Sequence, residues 1–210
     1  MAQEEQVLVI SRDVLESVGT FHGLIFDTDR YLDKIFAPGV PRFMPRSTAE
    51  TDDSCKQIIP YVIITHQDKY LCYTRGKRAG ETRLVGLMSI GIGGHINPGD
   101  DGFPLLGFRE AYDAAVVREV EEEIHVQAGH SDQIVALLND DSNPVGRVHL
   151  GVVHYWTLDS FDVDKREQMI TQMSFADLPQ LQSNREAMET WSQLCLDGLD
   201  RMAQRVASDT

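Results

Sequence analysis

The sequence predicts an α/β protein built on a mixed β-sheet, and three observations lead there. β-rich runs recur along the chain, two stretches carry strong helical patterns, and the two kinds of element are interleaved rather than grouped. The 210 residues, 42% hydrophobic and 25% charged, have an ordinary globular composition and enough apolar surface for one sizeable core. No internal repeat or low-complexity tract competes with that reading.

The elements follow in order. EQVLVISRDVL (5–15) reads as a strand, residues 21–36 are ambiguous, and 37–54, with Pro38, Pro41 and Pro45, reads as loop. YVIIT (61–65) and KYLCYT (69–74), separated by His66, Gln67 and Asp68, predict a hairpin, and 87–92 predicts a further strand. Residues 93–107, rich in Gly, Pro and Asp, predict a loop. REAYDAAVVREVEEEI (109–124) has strong helix formers and neither Gly nor Pro, so it predicts a helix. Strands are expected at 134–138 and 148–158, around a turn-rich 139–146. Residues 184–206 set Trp191, Leu194, Cys195, Leu199, Met202 and Val206 at helical spacing, an amphipathic helix suited to capping a core.

Charge and patterning exclude several classes. With 19 basic and 33 acidic residues the net charge is −14, which opposes nonspecific binding to nucleic-acid polymers or anionic membranes. The longest nearly apolar stretch, 84–94, is far short of the roughly 20 residues a membrane-spanning helix needs. The opening MAQEEQ is acidic where a secretory signal is basic and then apolar, so a cytoplasmic location is expected. Cys55, Cys72 and Cys195 form no C-x-x-C pair and no disulfide framework; they are expected to be reduced, buried and inert.

The helix at 109–124 carries the chemistry. At roughly 100° per residue, Ala114, Val120 and Ile124 fall within about 60° of Val117, which predicts a buried stripe centred there. Glu119, Glu122 and Glu123 fall opposite it at i, i+3 and i+4, which predicts three carboxylates on one exposed ridge. Such neighbours repel by a few tenths of a kcal/mol per pair, roughly, and a bound cation reverses the sign. Hard divalent ions such as Mg²⁺ take oxygen ligands of this kind together with substrate phosphates. A solvated acidic helix face is the alternative for three glutamates taken alone.

Arg118 and the upstream loop add to the glutamates. The run Arg118-Glu119-Val120-Glu121-Glu122-Glu123-Ile124-His125-Val126 resembles the core of the Nudix box, G-x5-E-x7-R-E-U-x-E-E-x-G-U, with U aliphatic. Glu110 stands where the box wants its first glutamate, but counting back from it puts Pro104 at the box glycine. Gly93-Gly94-His95-Ile96-Asn97-Pro98-Gly99-Asp100 is similar to the strand-end glycine loop that opens many such boxes. On that alignment Gly94 is the box glycine, Asp100 replaces the first glutamate, and 101–110 is an insertion. The second alignment is preferred, because a Gly-Gly pair permits a tight backbone path that Pro104 does not. His125 replaces the box's later glycine, so the turn ending the helix must be built differently. Residues 173–178 (MSFADL) and the Trp191 helix are similar to the family's tail.

The resemblance implies a Nudix-like α/β/α sandwich over 56–210, with 1–55 an N-terminal extension that packs on the core or serves a dimer interface. It implies Mg²⁺- or Mn²⁺-dependent hydrolysis of a pyrophosphate bond in a nucleoside diphosphate linked to another moiety, or in a related phosphorylated metabolite. By position, Glu119, Glu122 and Glu123 correspond to the family's metal ligands, and the Gly93 carbonyl is an additional candidate. Arg118 is expected to orient a carboxylate, Glu110 or Asp100. The family's general base varies between members, and Glu167 is a weak candidate.

A polyanionic substrate on this acidic chain needs local positive charge. Residues 69–83 hold Lys69, Arg75, Lys77, Arg78 and Arg83 against Glu81, so Arg75, Lys77 and Arg83 are candidates to meet the substrate's phosphates. An ordinary solvated loop is the equal alternative. His149 and His154, five apart in a strand, point to opposite faces, which argues against a metal shared between them; they read as structural or substrate-lining. Tyr155 and Trp156 either stack a base or belong to the core.

Two other readings compete. An isomerase acting on an allylic diphosphate would need a placed cysteine and glutamate pair, and Cys72 lies within a predicted strand. A non-catalytic Nudix-fold nucleotide-binding or regulatory module accommodates His125 and the insertion, but has no need of the three-glutamate set.

Overall fold

The computed structural model describes residues 4–76, 86–99, 108–166 and 170–208. The first third of the chain forms β1 (Gln6–Ser11), α1 (Arg12–Val18), β2 (Gly23–Ile25), α2 (Thr28–Ile35), β3 (Arg42–Pro45), α3 (Arg46–Ala49) and β4 (Cys55–His66). There follow β5 (Lys69–Arg75), β6 (Met88–Ser89), β7 (Gly91–Gly93), α4 (Phe108–Glu123), β8 (Ile124–Val126), β9 (His130–Asn139), α5 (Pro144–Arg147) and β10 (His149–Leu158). The chain closes with β11 (Val163–Lys165), β12 (Ile170–Asp177), α6 (Leu178–Ser183), α7 (Thr190–Leu196) and α8 (Leu199–Ser208). Ten strands form a large mixed sheet whose hydrogen-bonded path is β12-β5-β4-β10-β9-β2; β1 joins β3 and β4, β6 joins β5, and β7 joins β4. β8 and β11 make a separate antiparallel pair. The α/β class read from the interleaved pattern is therefore the observed one.

The described residues fall into two compact units, one drawn from Met1–Pro60, Gly93–Arg118 and Ala136–Val153, the other from Tyr61–Ile92, Glu119–Val135 and His154–Thr210. In the first, β1 lies antiparallel to β3, with Val7 opposite Met44, and to β4, with Val9 opposite Gln57. Val7, Val9, Ala49 and Cys55 are buried together, with Met44 against them. Phe36 meets Tyr112 edge to face at 5.2 Å and Phe43 meets Phe108 at 6.1 Å, so aromatic contacts anchor the start of α4. α5 begins where Asn143 caps the Gly146 N–H and Pro144 takes the first turn, which needs no N–H there.

In the second unit, β4 and β5 form the expected hairpin, Thr65 opposite Tyr70, turning at Gln67 with φ 54°. β12 pairs antiparallel with β5 and bulges between Thr171 and Ser174, where Gln172 takes φ 52°. Asp177 and Gln180 close a reciprocal capping box at the start of α6. The Tyr61 ring presses on Gly91 so closely that a Cβ there would lie 2.2 Å from it, a reason for glycine in that strand.

Several elements depart from the sequence reading. The opening strand ends at Ser11 and continues as α1 (Arg12–Val18), with the Arg12 N–H turned to Ser54 O at 2.8 Å. The proline-rich 37–54 holds β3 and α3, because Pro45 closes an edge strand that pairs with β1. The strand expected at 87–92 is two short pieces, β6 and β7. The helix expected over 184–206 is interrupted: Glu189 is extended, with its N–H on Met88 O at 3.0 Å, and Asp197–Gly198 separates α7 from α8. Gly198 there is a weak helix former.

Candidate functional site

α4 places the predicted carboxylates, but in a different phase from the wheel. Ala111, Tyr112, Ala115, Val116, Val120 and Ile124 are buried, whereas Val117 is 45% exposed. The buried arc therefore runs through Tyr112 and Val116, and the stripe expected at Val117 is corrected. Apolar residues nearly ring this helix, so the wheel alone does not choose among stripes; packing of the bulky Tyr112 does. Glu119 and Glu123 are in consequence half-buried beside the buried arc, and Glu122 is exposed.

The electrostatics at this helix end suit a cation. The last turn carries no basic residue, and its glutamates stand where the helix dipole is already negative. Arg166 gives partial relief, donating from Nη1 to Glu121 O at 2.7 Å and from its N–H to Glu123 O at 3.1 Å. Glu123 is felt inside the protein: burial pushes the Tyr73 hydroxyl pKa up, and Glu123 adds to the rise. For Arg75 burial opposes the charge, but Tyr73, Glu189 and Glu123 override it and raise its pKa. Three hard oxygen donors in this setting fit Mg²⁺ or Mn²⁺ by donor chemistry. Gly93 ends β7, half-buried. Arg118 donates from Nη2 to the His95 carbonyl at 2.8 Å.

A second group of donors comes from three distant segments. Glu50 caps the end of α3, His95 lies in the loop after β7, and His149 opens β10. One ligand atom from each lies within 4.8 Å of the others. Glu50 Oε1 is 3.9 Å from His95 Nε2 and 4.0 Å from His149 Nε2. Burial, then repulsion from Arg46, His149 and Arg118, lowers the His95 pKa to about 3, so its ring is neutral near pH 7. The sequence reads His149 only as structural or substrate-lining; His154, the other histidine of that strand, bonds Asp132 at 2.8 Å. Glu50 and His95 were not singled out as ligands; no fixed spacing links positions 50, 95 and 149.

Beneath this group lies a buried lysine. Lys56 Nζ donates to Asn139 Oδ1 at 2.5 Å, Asp141 Oδ1 at 2.7 Å, Gly146 O at 2.9 Å and His149 O at 3.2 Å. Burial opposes ionisation of Asp141, yet hydrogen bonds from Lys56, Arg12 and Asn139 outweigh it and hold its pKa down at about 2.

The remaining candidates are dispersed. Arg75 Nε donates to Glu189 Oε2 at 3.2 Å, and Glu189 also accepts from Ser89 and Tyr61 in a buried polar knot. Lys77, Arg83, Asp100 and Glu167 lie outside the described residues, as does most of 101–110. Glu110 is exposed. Trp156 is buried and stacks on His130 at 3.9 Å, and Tyr155 is buried edge-on to Tyr70; both belong to the core. A cleft of about 430 Å³ is lined by Cys72, Thr74, Gln172 and Ser174 among others. Alternation along β5 directs Cys72 and Thr74 to the face opposite the Tyr73 hydroxyl.

A large mixed sheet with an acidic helix following a Gly-Gly loop defines the Nudix class of α/β proteins. No family model matches the chain. It is 35% identical over 208 residues to protein YmaB of Bacillus subtilis (strain 168), covering 94% of this chain and 98% of that one. Its fold superposes on the crystal structure of Tm1382, a candidate Nudix hydrolase, with a TM-score of 0.78 and 29% identity over 93% of this chain and 98% of that one. The Nudix domain of Shewanella oneidensis NrtR, solved with ADP ribose, aligns with a TM-score of 0.50 at 15% identity over 74% of this chain and 89% of that one. The chain belongs to the Nudix hydrolase family and is a relative of YmaB.

Proposed function

We propose that the protein is a divalent-metal-dependent hydrolase of a phosphoanhydride bond in a nucleoside diphosphate linked to another moiety, or in a related phosphorylated metabolite. The observation that carries this reading is the set Glu119, Glu122 and Glu123, three carboxylates in register at the end of α4 in a member of the Nudix family. These three residues, with the Gly93 carbonyl, would hold Mg²⁺ or Mn²⁺. Such an ion neutralises phosphoryl oxygens and makes bound water more acidic. Arg118, tied to the loop carbonyl of His95, positions the glycine loop. Lys77 and Arg83 supply phosphate contacts, while Arg75 contributes charge from its pair with Glu189. A nucleotide-like substrate is supported by the ADP ribose bound to the NrtR domain. A cytoplasmic location is supported by three free, buried cysteines, and among the described residues no helix is long and apolar enough to cross a membrane.

The test is nucleotide and phosphate release from a panel of nucleoside diphosphate-linked compounds and dinucleotides, with Mg²⁺ or EDTA, for wild type and Glu123→Gln. Turnover that needs the metal and is lost in Glu123→Gln is expected. No turnover across the panel, with ligand still bound, replaces the hydrolase by a nucleotide-binding or regulatory module.

A further inference from the structure

We propose that Glu50, His95 and His149 form a site for one first-row transition-metal ion of the Zn²⁺ class, built without the α4 glutamates. Two imidazoles are borderline donors, and a set of two imidazoles with one carboxylate prefers Zn²⁺ or Fe²⁺ over Mg²⁺. The ligand atoms are close to coordination distance already. Bonds of about 2.0–2.2 Å in a tetrahedral site put ligand atoms roughly 3.4 Å apart. The observed separations of 3.9 and 4.0 Å from Glu50 Oε1 to the two Nε2 atoms thus need only a small contraction.

The surroundings prepare both histidines. His149 donates from Nδ1 to Val145 O at 2.7 Å, which leaves the lone pair on Nε2, the atom facing Glu50. His95 Nε2 is buried and has no hydrogen-bond partner among the described residues. A buried polar nitrogen left so is costly, and an ion satisfies it. The backbone of each histidine is pinned by a cation on its carbonyl: Arg118 on His95 at 2.8 Å and Lys56 on His149 at 3.2 Å.

Two of the neighbouring cations have carboxylate partners of their own. Lys56 sits on Asp141 at 2.7 Å. Arg46, whose Nε reaches Glu50 Oε1 at 3.4 Å, has Glu5 at 2.9 Å as a second partner when Glu50 turns to the ion. Glu50 is the most exposed of the three ligands, so an ion from solvent would reach the group on its side.

The experiment is Co²⁺ titration of the full chain by visible d–d absorption, with bound Zn²⁺ counted after loading and desalting. One equivalent is expected in wild type, in Glu123→Gln and under excess Mg²⁺. Affinity should fall at least about tenfold in His95→Gln and in the more exposed Glu50→Gln, each with wild-type circular dichroism. The proposal is overturned if folded wild type gives no Co²⁺ spectrum, if Mg²⁺ displaces the ion, or if Glu123→Gln loses it while Glu50→Gln keeps it. A failed hydrolase assay leaves this result untouched.

Discussion

Glu119, Glu122 and Glu123 lie within five consecutive positions of one helix, whereas Glu50, His95 and His149 come from three segments 45 and 54 positions apart. The first set needs only α4 to bring its carboxylates together, because a helix makes neighbours of i, i+3 and i+4. The second exists only when the end of α3, the glycine loop and the start of β10 are all in place, with Lys56 and Arg118 holding the two histidine carbonyls. Donor chemistry divides the same way: hard oxygens on the helix, imidazoles in the assembled group. A site on one element should tolerate loss of its own side chains without loss of fold; a site assembled from afar should be lost with its scaffold.

The largest effect expected to sharpen that contrast is Lys56→Met. It removes a buried cation that bonds two side chains and two carbonyls and should cost about 4 kcal/mol in urea unfolding, taking the Co²⁺ signal with it. Unchanged stability would show that the assembled group does not depend on this scaffold. Next is Gly146→Ala: its Cβ would lie 1.8 Å from the Asp140 carbonyl oxygen, and neither backbone gives way cheaply. A loss of about 3 kcal/mol is expected in thermal or urea unfolding.

On the helix side, Glu123→Gln should lower kcat/KM by more than about 100-fold, beyond what a residue merely supporting a ligand costs. Its metal-free stability should change by no more than a few tenths of a kcal/mol, roughly, because the like-charge repulsion that disappears is offset by lost attraction to Arg75. A drop in stability would erase the distinction between the two sites.

The smallest effect is pH-dependent. The folded pKa of Asp141, about 2, lies below its ordinary 3.8, so its stabilisation is present above about pH 3.8 and lost as pH falls through about 2. The carboxylate is partly exposed, and solvent screening holds the contribution to about 1 kcal/mol. Asp141→Asn should flatten stability across that window; an unchanged acid profile would remove Asp141 from the scaffold.

Much of the architecture was legible because it is written locally. The β4–β5 hairpin follows from two β-rich runs around a short polar turn, and α4 from an uninterrupted series of helix formers. The α4 glutamates were legible for the same reason. The N-terminal quarter was not, because β3 is a proline-flanked edge strand whose formation depends on β1. Nor was Glu189: an acid within an apparent amphipathic helix reads as solvent-facing, yet it is buried against Tyr61, Ser89 and Arg75 and interrupts that helix.

From the sequence alone come the α/β class, the glycine loop and a helix with three carboxylates in register, all set by backbone preference and short-range spacing. Tertiary structure decided which arc of α4 is buried, since apolar side chains nearly encircle it and the buried arc is the one that carries Tyr112 against Phe36. It also decided that Glu50, His95 and His149 meet. Nothing in the local sequence ties residues so far apart, and their approach is the outcome of burying β1, β4 and β10 in one sheet.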